Sequence, residues 1–190
     1  MEVIKTDIEG VVILEPRIFN DDRGYFYESF SQREFNEKVR EVTFVQDNQS
    51  KSSFGVLRGL HLQKPPYAQS KLVRVIKGKV LDVAVDIRVG SPSYGRYMAV
   101  ELSEDNHRQL FIPRGFAHGF VVLSEEVIFQ YKCDNYYSKE SEMAIAWDDA
   151  DLGIEWGVDT QQAILSEKDR VNISFKEFVS PFNYNDNLYE

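Results

Sequence analysis

The amino-acid sequence predicts an all-β jelly roll, a sandwich or barrel of antiparallel strands. Many short β-rich runs separated by turn residues fill its 190 residues. Within Leu81-Asp82-Val83-Ala84-Val85-Asp86 the side chains alternate, which puts Asp82 and Asp86 on the face opposite Val83 and Val85. Helical patterning, by contrast, is well marked in one short segment only.

In chain order, candidate strands run from Val11 to Leu14 and from Tyr25 to Phe30. Ser31-Gln32-Arg33-Glu34 then matches a capping box and introduces a helix with Phe35 and Val39 on one face, suited to packing rather than chemistry. Further strands are expected over Leu57 to Leu62, Leu72 to Ile76 and Val80 to Asp86, with Gly78 as the turn residue between the last two. Tyr97 to Leu102, Phe120 to Leu123 and Val127 to Tyr131 complete the set. Past Trp156 the pattern weakens: Thr160 to Leu165 suits a helical turn, and Asn183 to Glu190 reads as a polar, frayed tail. No repeat, low-complexity tract or linker interrupts the chain, so one domain over residues 1–190 is expected.

A hydrophobic content of 43% argues against disorder, and a net charge of -9 argues against duplex nucleic acid as the main ligand. Arg23, Arg58 and Lys71 still leave cations enough for one small anion. Cys133 is the single cysteine, so no intramolecular disulfide can form; a small buried apolar residue is preferred to a catalytic thiol. Glu2, Asp7 and the lack of a long apolar run near the N-terminus predict neither signal peptide nor membrane anchor, and hence a cytoplasmic protein.

The chemistry centres on Arg58-Gly59-Leu60-His61-Leu62-Gln63, where a histidine sits in an apolar, strand-like run with an arginine three residues earlier. Histidine titrates near neutrality and is a natural general base. Lys71 offers a cation for a developing oxyanion, Tyr131 a phenol that donates a proton, and Ser166-Glu167-Lys168-Asp169 a carboxylate to orient an imidazole. Taken singly, each has a plainer reading: His61 as a packed strand histidine, Lys71 as a surface lysine, Tyr131 as a core aromatic, Asp169 as a turn carboxylate, His118 as a turn residue in a Gly-rich loop. A jelly-roll metal site commonly presents a His-x-His pair; Gln63 stands two residues after His61, and neither His107 nor His118 restores the spacing, so no metal is predicted.

Separated motifs weigh these readings together. Asp-Asp-Arg-Gly-Tyr-Phe-Tyr-Glu at Asp21 to Glu28, Gln46-Asp47-Asn48 followed by Ser50, Gly55 to Gln63 and Pro113 to Phe120 resemble the dTDP-4-dehydrorhamnose 3,5-epimerase family. Asp151 to Trp156 and Leu165 to Asp169 extend the resemblance nearly to the C-terminus. The chain departs from it in Gly157 after Trp156 and in Ser138-Lys139 after a tyrosine pair, where the family often has proline. The resemblance implies a cupin-type β-barrel, a homodimer and an epimerase of a dTDP-4-keto-6-deoxyhexose that needs no cofactor. It further implies His61 as base, Asp169 as its orienting carboxylate, Lys71 at the enolate and Tyr131 as the proton donor of the opposite face. Arg23, Phe26, Glu28, Gln46, Asn48, Arg58, His118, Tyr137, Glu142 and Lys168, together with Lys71, are the implied substrate-binding positions. Three rivals stay open at this stage: an epimerase inverting C3 or C5 alone, a metal-dependent cupin, and a sugar-nucleotide binding module without turnover.

Overall fold

The computed structural model describes residues 1–189. Its strands are β1 (Glu2–Lys5), β2 (Val12–Glu15), β3 (Phe19–Asp21), β4 (Gly24–Phe26), β5 (Gln46–Ser53), β6 (Leu57–Gln63), β7 (Lys71–Lys77), β8 (Lys79–Asp86), β9 (Tyr97–Ser103), β10 (Gln109–Ile112), β11 (Phe116–Val122), β12 (Glu126–Cys133) and β13 (Glu142–Ala144), with one helix, α1 (Gln32–Lys38). A six-stranded sheet in the order β1-β2-β10-β7-β12-β5 and a five-stranded sheet in the order β13-β6-β11-β8-β9 form a sandwich, and β3 and β4 pair as a separate hairpin. Every ladder is antiparallel, as the jelly roll requires.

Both faces of the five-stranded sheet are covered. Val80 and Ala84 of β8 point into the space between the sheets with Val73, Leu110, Phe120 and Phe129, whereas Val83 and Val85 point outward. There they meet Trp147, Trp156, Phe178 and Phe182 of the C-terminal segment. The predicted split of β8 into an aspartate face and a valine face therefore holds, but neither face is solvated. Burial of side chains this size contributes about 1.5–3 kcal/mol each. A third cluster under the six-stranded sheet seats α1 through Phe35, whose ring meets Phe44 and Phe111 edge-on at centroid distances of 5.2 Å. Ser31 caps α1 by accepting from the Glu34 amide, a contact worth about 1 kcal/mol.

Five strands escape hydrophobic patterning: β1, β3, β5, β10 and β13. The reason is clearest for β5, Gln-Asp-Asn-Gln-Ser-Lys-Ser-Ser, whose inward positions alternate with exposed ones yet carry Gln46, Asn48, Ser50 and Ser52 rather than apolar side chains. β11 begins at Phe116, four residues before the expected strand, so His118 is a strand residue and not part of a Gly-rich turn. β4 ends at Phe26 instead of Phe30, because Phe30 turns inward against Phe35 and Phe44. The expected helical turn after Trp156 is a single 3-10 turn over Thr160–Gln162. The expected frayed tail is instead docked: Leu188 packs on the outer core and the Tyr189 hydroxyl bonds to Ser70, while Glu190 lies outside the described residues. No helix among the described residues is long and apolar enough to cross a membrane.

Candidate active site

A cavity of about 470 Å³ opens between the sheets, lined by Asn48, Arg58, His61, Lys71, His118, Tyr131, Tyr137, Glu142, Lys168 and Asp169 among others. A second space of about 290 Å³ adjoins it and shares Asn48, His61, Lys71, Tyr131, Tyr137 and Glu142. The volumes suit a small ligand rather than a polymer.

Arg58 and His61 reach this cavity together because β6 is irregular. Residues three apart on a regular strand point to opposite faces. Here His61 pairs with His118 and Arg58 with Phe120, so three steps along β6 match two along β11. The extra residue is a bulge that flips the alternation once. Gly59 adopts φ +138, and a Cβ on it would stand 2.6 Å from the Gly119 Cα. Glycine on both strands is what allows the close approach. Leu57, Leu60 and Leu62 consequently pack outward, leaving Arg58, His61 and Gln63 inside.

Asp169 arrives from the far end of the chain, in a 3-10 turn over Lys168–Arg170. The segment carrying it is pinned at both ends. The Leu57 amide donates to the Ile164 carbonyl at 3.0 Å, and the Ala146 amide to the Ile173 carbonyl at 2.8 Å. The Asp169 carboxylate is buried and meets His61 Nε2 at 2.5 Å, while Ser166 Oγ donates to its other oxygen at 2.6 Å. Burial works to raise its pKa, but these hydrogen bonds outweigh it and hold the carboxyl below its ordinary value. An ionised Asp169 accepts the Nε2 proton, so Nδ1 is the ring nitrogen left to take another.

His118 makes the second imidazole–carboxylate contact. Its Nε2 stands 3.0 Å from both oxygens of the fully buried Asp82, and its Nδ1 3.5 Å from Lys71 Nζ. The Lys71 ammonium has only protons to offer, so Nδ1 accepts and Nε2 carries the proton. Burial pushes the His118 pKa down, which favours this neutral tautomer. Burial also lowers the Lys71 pKa, against the opposing fields of Asp82 and Glu142, and raises that of Tyr131. Cys133, buried beside Lys71 in the ladder, has its thiol pushed up to about 11 by burial, consistent with an inert apolar role.

At the mouth, Lys168 Nζ donates to Glu142 at 2.5 Å and the Tyr137 hydroxyl to its other oxygen at 3.1 Å. The Tyr137 amide donates to Gln46, whose own amide donates to Asn48 at 3.0 Å. Arg58 donates to Ser52 Oγ at 3.1 and 3.3 Å and, among the described residues, bonds to no carboxylate. Its charge is thus uncompensated in a protein of net charge -9.

Of the sequence-derived positions, His61, Lys71, Tyr131, Asp169, Asn48, Arg58, His118, Tyr137, Glu142 and Lys168 converge on the larger space, and Gln46 lines the adjoining one. Arg23, Phe26 and Glu28 do not: all three are exposed, and Arg23 bonds only to Asp21 of its own hairpin turn. Sequence reasoning gave no role to Asp82 or Gln63. Asp82 had a visible signal, a carboxylate inside an otherwise apolar strand; Gln63, which accepts from the Ser138 amide at 2.8 Å, had none beyond its neighbourhood.

A histidine–carboxylate pair on one wall, with a phenol and an ammonium on the facing sheet, is a set of groups suited to moving protons on and off carbon beside a polarised oxygen. The comparisons name the class. Residues 5–177 match the family model of dTDP-4-dehydrorhamnose 3,5-epimerase. The enzyme of that name from Shigella flexneri is 58% identical over 170 residues, covering 89% of this chain and 93% of the relative. The crystal structure of dTDP-4-dehydrorhamnose 3,5-epimerase from Elizabethkingia anophelis NUHP1 matches with a TM-score of 0.90 at 52% identity, over 93% of this chain and 97% of that one. The dTDP-6-deoxy-D-glucose-3,5-epimerase of Legionella pneumophila, in complex with dTDP-4-keto-L-rhamnose, matches with a TM-score of 0.90 at 47% identity, over 94% of each chain. The chain belongs to the dTDP-4-dehydrorhamnose 3,5-epimerase family, and its jelly roll is of the cupin type.

Proposed function

We propose that this chain converts dTDP-4-dehydro-6-deoxy-D-glucose to dTDP-4-dehydro-L-rhamnose by inverting C3 and C5 beside the C4 ketone. The observation that carries the reading is the placement of His61–Asp169 on one wall of a single cavity and of Tyr131 and Lys71 on the other. His61 takes the C3 or C5 proton, and the C–H electron pair moves to the ketone oxygen as an enolate. Lys71 stabilises that oxygen; preorganised donors at such a position are commonly worth about 10²–10³-fold in rate. Tyr131 then gives its proton to the carbon from the opposite side as the enolate collapses to the ketone, inverting the centre; the phenolate recovers a proton from solvent and the His61 imidazolium releases one to it. Arg58 meets the diphosphate, a partner for which its planar fork is suited. Tyr137, Glu142, Lys168, Gln46, Asn48 and His118 fix the remaining substrate groups.

The hairpin of β3 and β4 supports a homodimer within this reading. Phe19, Tyr25 and Phe26 are 50%, 59% and 70% exposed, a large aromatic surface for a hairpin that, among the described residues, meets only Arg17, Tyr27 and His107 through these rings. We place Arg23, Phe26 and Glu28 in the cavity of a second copy, with Phe26 as an aromatic wall for the base. The whole chain acts as one epimerase domain in the cytoplasm.

Product NMR after incubation in deuterium oxide tests the chemistry: deuterium at C3 and C5 with both centres inverted is expected. Label at one centre alone would reduce the chain to a monoepimerase, and dTDP-sugar binding without any exchange would make it a binding module. Sedimentation giving the mass of a single chain would overturn the dimer.

A further inference from the structure

The C-terminal segment after residue 177 lies outside the stretch matched by the family model, yet Tyr189 reaches the edge of the cavity layer. Lys71 is the first residue of β7 and pairs with Ile112, the last of β10, on one side and with Cys133, the last of β12, on the other. All three strands therefore end at the layer that holds the lysine. The residues just beyond those ends are tied together. Ser70 donates its amide to Asp134 Oδ1 at 2.6 Å, and Arg114 Nε donates to Asp134 Oδ2 at 3.1 Å. Tyr189 closes the ring: its hydroxyl stands 2.7 Å from Ser70 Oγ and accepts from the Arg114 amide at 3.1 Å. The guanidinium groups of Arg40 and Arg114 stand 4.4 and 5.0 Å from the Tyr189 ring centroid, and Arg114 also donates to the Leu188 carbonyl at 2.9 Å.

The Tyr189 oxygen accepts from the Arg114 amide and shares a hydrogen bond with Ser70 Oγ for which either hydroxyl can supply the proton. Ser70 is fully buried, so no water substitutes for that bond from outside. Lys71 meanwhile holds His118 Nδ1 by one long contact of 3.5 Å, and among the described residues no carboxylate fixes its ammonium. Its placement therefore depends on where the start of β7 is held.

We propose that Tyr189 is a positioning residue for the reaction, which through Ser70 fixes the start of β7 and thereby sets Lys71 against the enolate oxygen. The proposal rests on the epimerase reading for the reaction it serves. Displacing a catalytic group by about 1 Å can cost about 10²-fold, and loss of one bond at the backbone before Lys71 moves it by less.

Tyr189→Phe keeps the ring between its two arginines and removes only the hydroxyl; Ser70→Ala removes the other end of the same bond. In each, kcat should fall about tenfold while KM stays within about twofold of wild type, since Arg58 and the groups at the cavity mouth are untouched. The double variant should be no worse than Tyr189→Phe alone, which already lacks both the Ser70 bond and the acceptor for the Arg114 amide. Independently of turnover, the Lys71 Cε resonance in 13C-lysine-labelled protein, assigned with Lys71→Arg, should titrate at higher pH in both variants as water gains access to the ammonium. Wild-type kcat in Tyr189→Phe, an unmoved Lys71 titration, or losses that add in the double variant would each overturn the proposal. Should the wild-type chain fail to turn over the sugar, the epimerase reading falls, and the Lys71 titration alone decides whether Tyr189 positions that lysine.

Discussion

On the wall built by β6 and β11, each histidine is bonded to a buried carboxylate, His61 to Asp169 and His118 to Asp82. On the wall built by β7 and β12, Lys71 and Tyr131 face the same cavity with no carboxylate bonded to either among the described residues. At His61 the carboxylate holds Nε2 and leaves Nδ1 to take a proton, whereas at His118 burial outweighs Asp82 and keeps the ring neutral. On the β7–β12 wall burial is the largest influence, so the phenol holds its proton beyond its ordinary range and the ammonium gives its proton up more readily despite the fields of Asp82 and Glu142. One cavity thus has an accepting side and a donating side, set by what each side chain is bonded to rather than by residue type alone.

Removing the accepting side should have the largest effect. In His61→Asn, solvent exchange at both C3 and C5 should fall by about 10³-fold or more, at the upper part of what a positioned base contributes, with dTDP affinity retained. Asp169→Asn leaves the imidazole in place but deprives it of the charge that fixes its tautomer, and about a 10²-fold loss is expected. Deuterium incorporation followed by NMR measures both. Exchange near the wild-type rate in His61→Asn would assign the base elsewhere and erase the contrast between the walls.

The donating side separates into two functions. Lys71→Met should depress exchange itself by about 10²-fold, because the enolate loses its electrostatic partner. Tyr131→Phe keeps base and cation, so exchange should persist in part while inversion, C5 above all, falls away. Recording exchange and configuration at each carbon distinguishes them. Equal loss of exchange in both variants would mean that the wall acts as one unit.

The two walls were not equally readable beforehand. β7, β8 and β12 announce themselves through alternating or β-branched apolar residues, and a lysine or tyrosine in them falls on a predictable face. β6 does not follow that rule, since alternation counted from Arg58 places His61 on the wrong face; only the extra residue at Gly59 brings them together. β5 was illegible for a chemical reason: a strand lining a polar cavity carries amides and hydroxyls inward, so nothing in it alternates in hydrophobicity. Gln46 and Asn48 were found through the family motif instead. His118 shows the cost of reading a glycine as a turn, for Gly119 serves a close strand approach. Arg23, Phe26 and Glu28 sit in a motif that is plain in the sequence, yet a motif fixes what a residue is suited to bind and not which copy of the chain presents it.

A smaller effect belongs to the cavity mouth. Arg58→Ala should weaken binding of dTDP about tenfold, in line with the loss of one charge-assisted contact worth about 1.5 kcal/mol. Raising salt should weaken the wild-type interaction more than that of the variant. Calorimetry at two ionic strengths checks both points, and unchanged affinity would move Arg58 from ligand binding to support of Ser52.

The smallest effect, and the sharpest test of the donating wall, is at alkaline pH. Lys71 lies below its ordinary 10.5 because burial penalises the ammonium, so its charge is lost as pH rises through a value under that figure. Tyr131 lies above its ordinary 10.0, burial here penalising the phenolate, so the phenol keeps its proton into more alkaline solution than an exposed tyrosine does. The alkaline limb of kcat should therefore report Lys71, beginning below 10.5, with little change near neutrality. Lys71→Arg keeps a cation that does not titrate there, at some loss of rate because a planar fork replaces a point charge. Its limb should move upward to where Tyr131 ionises. A limb that stays in place would mean that the phenol, not the lysine, loses its proton first, and that burial acts on the two groups of this wall in the reverse order.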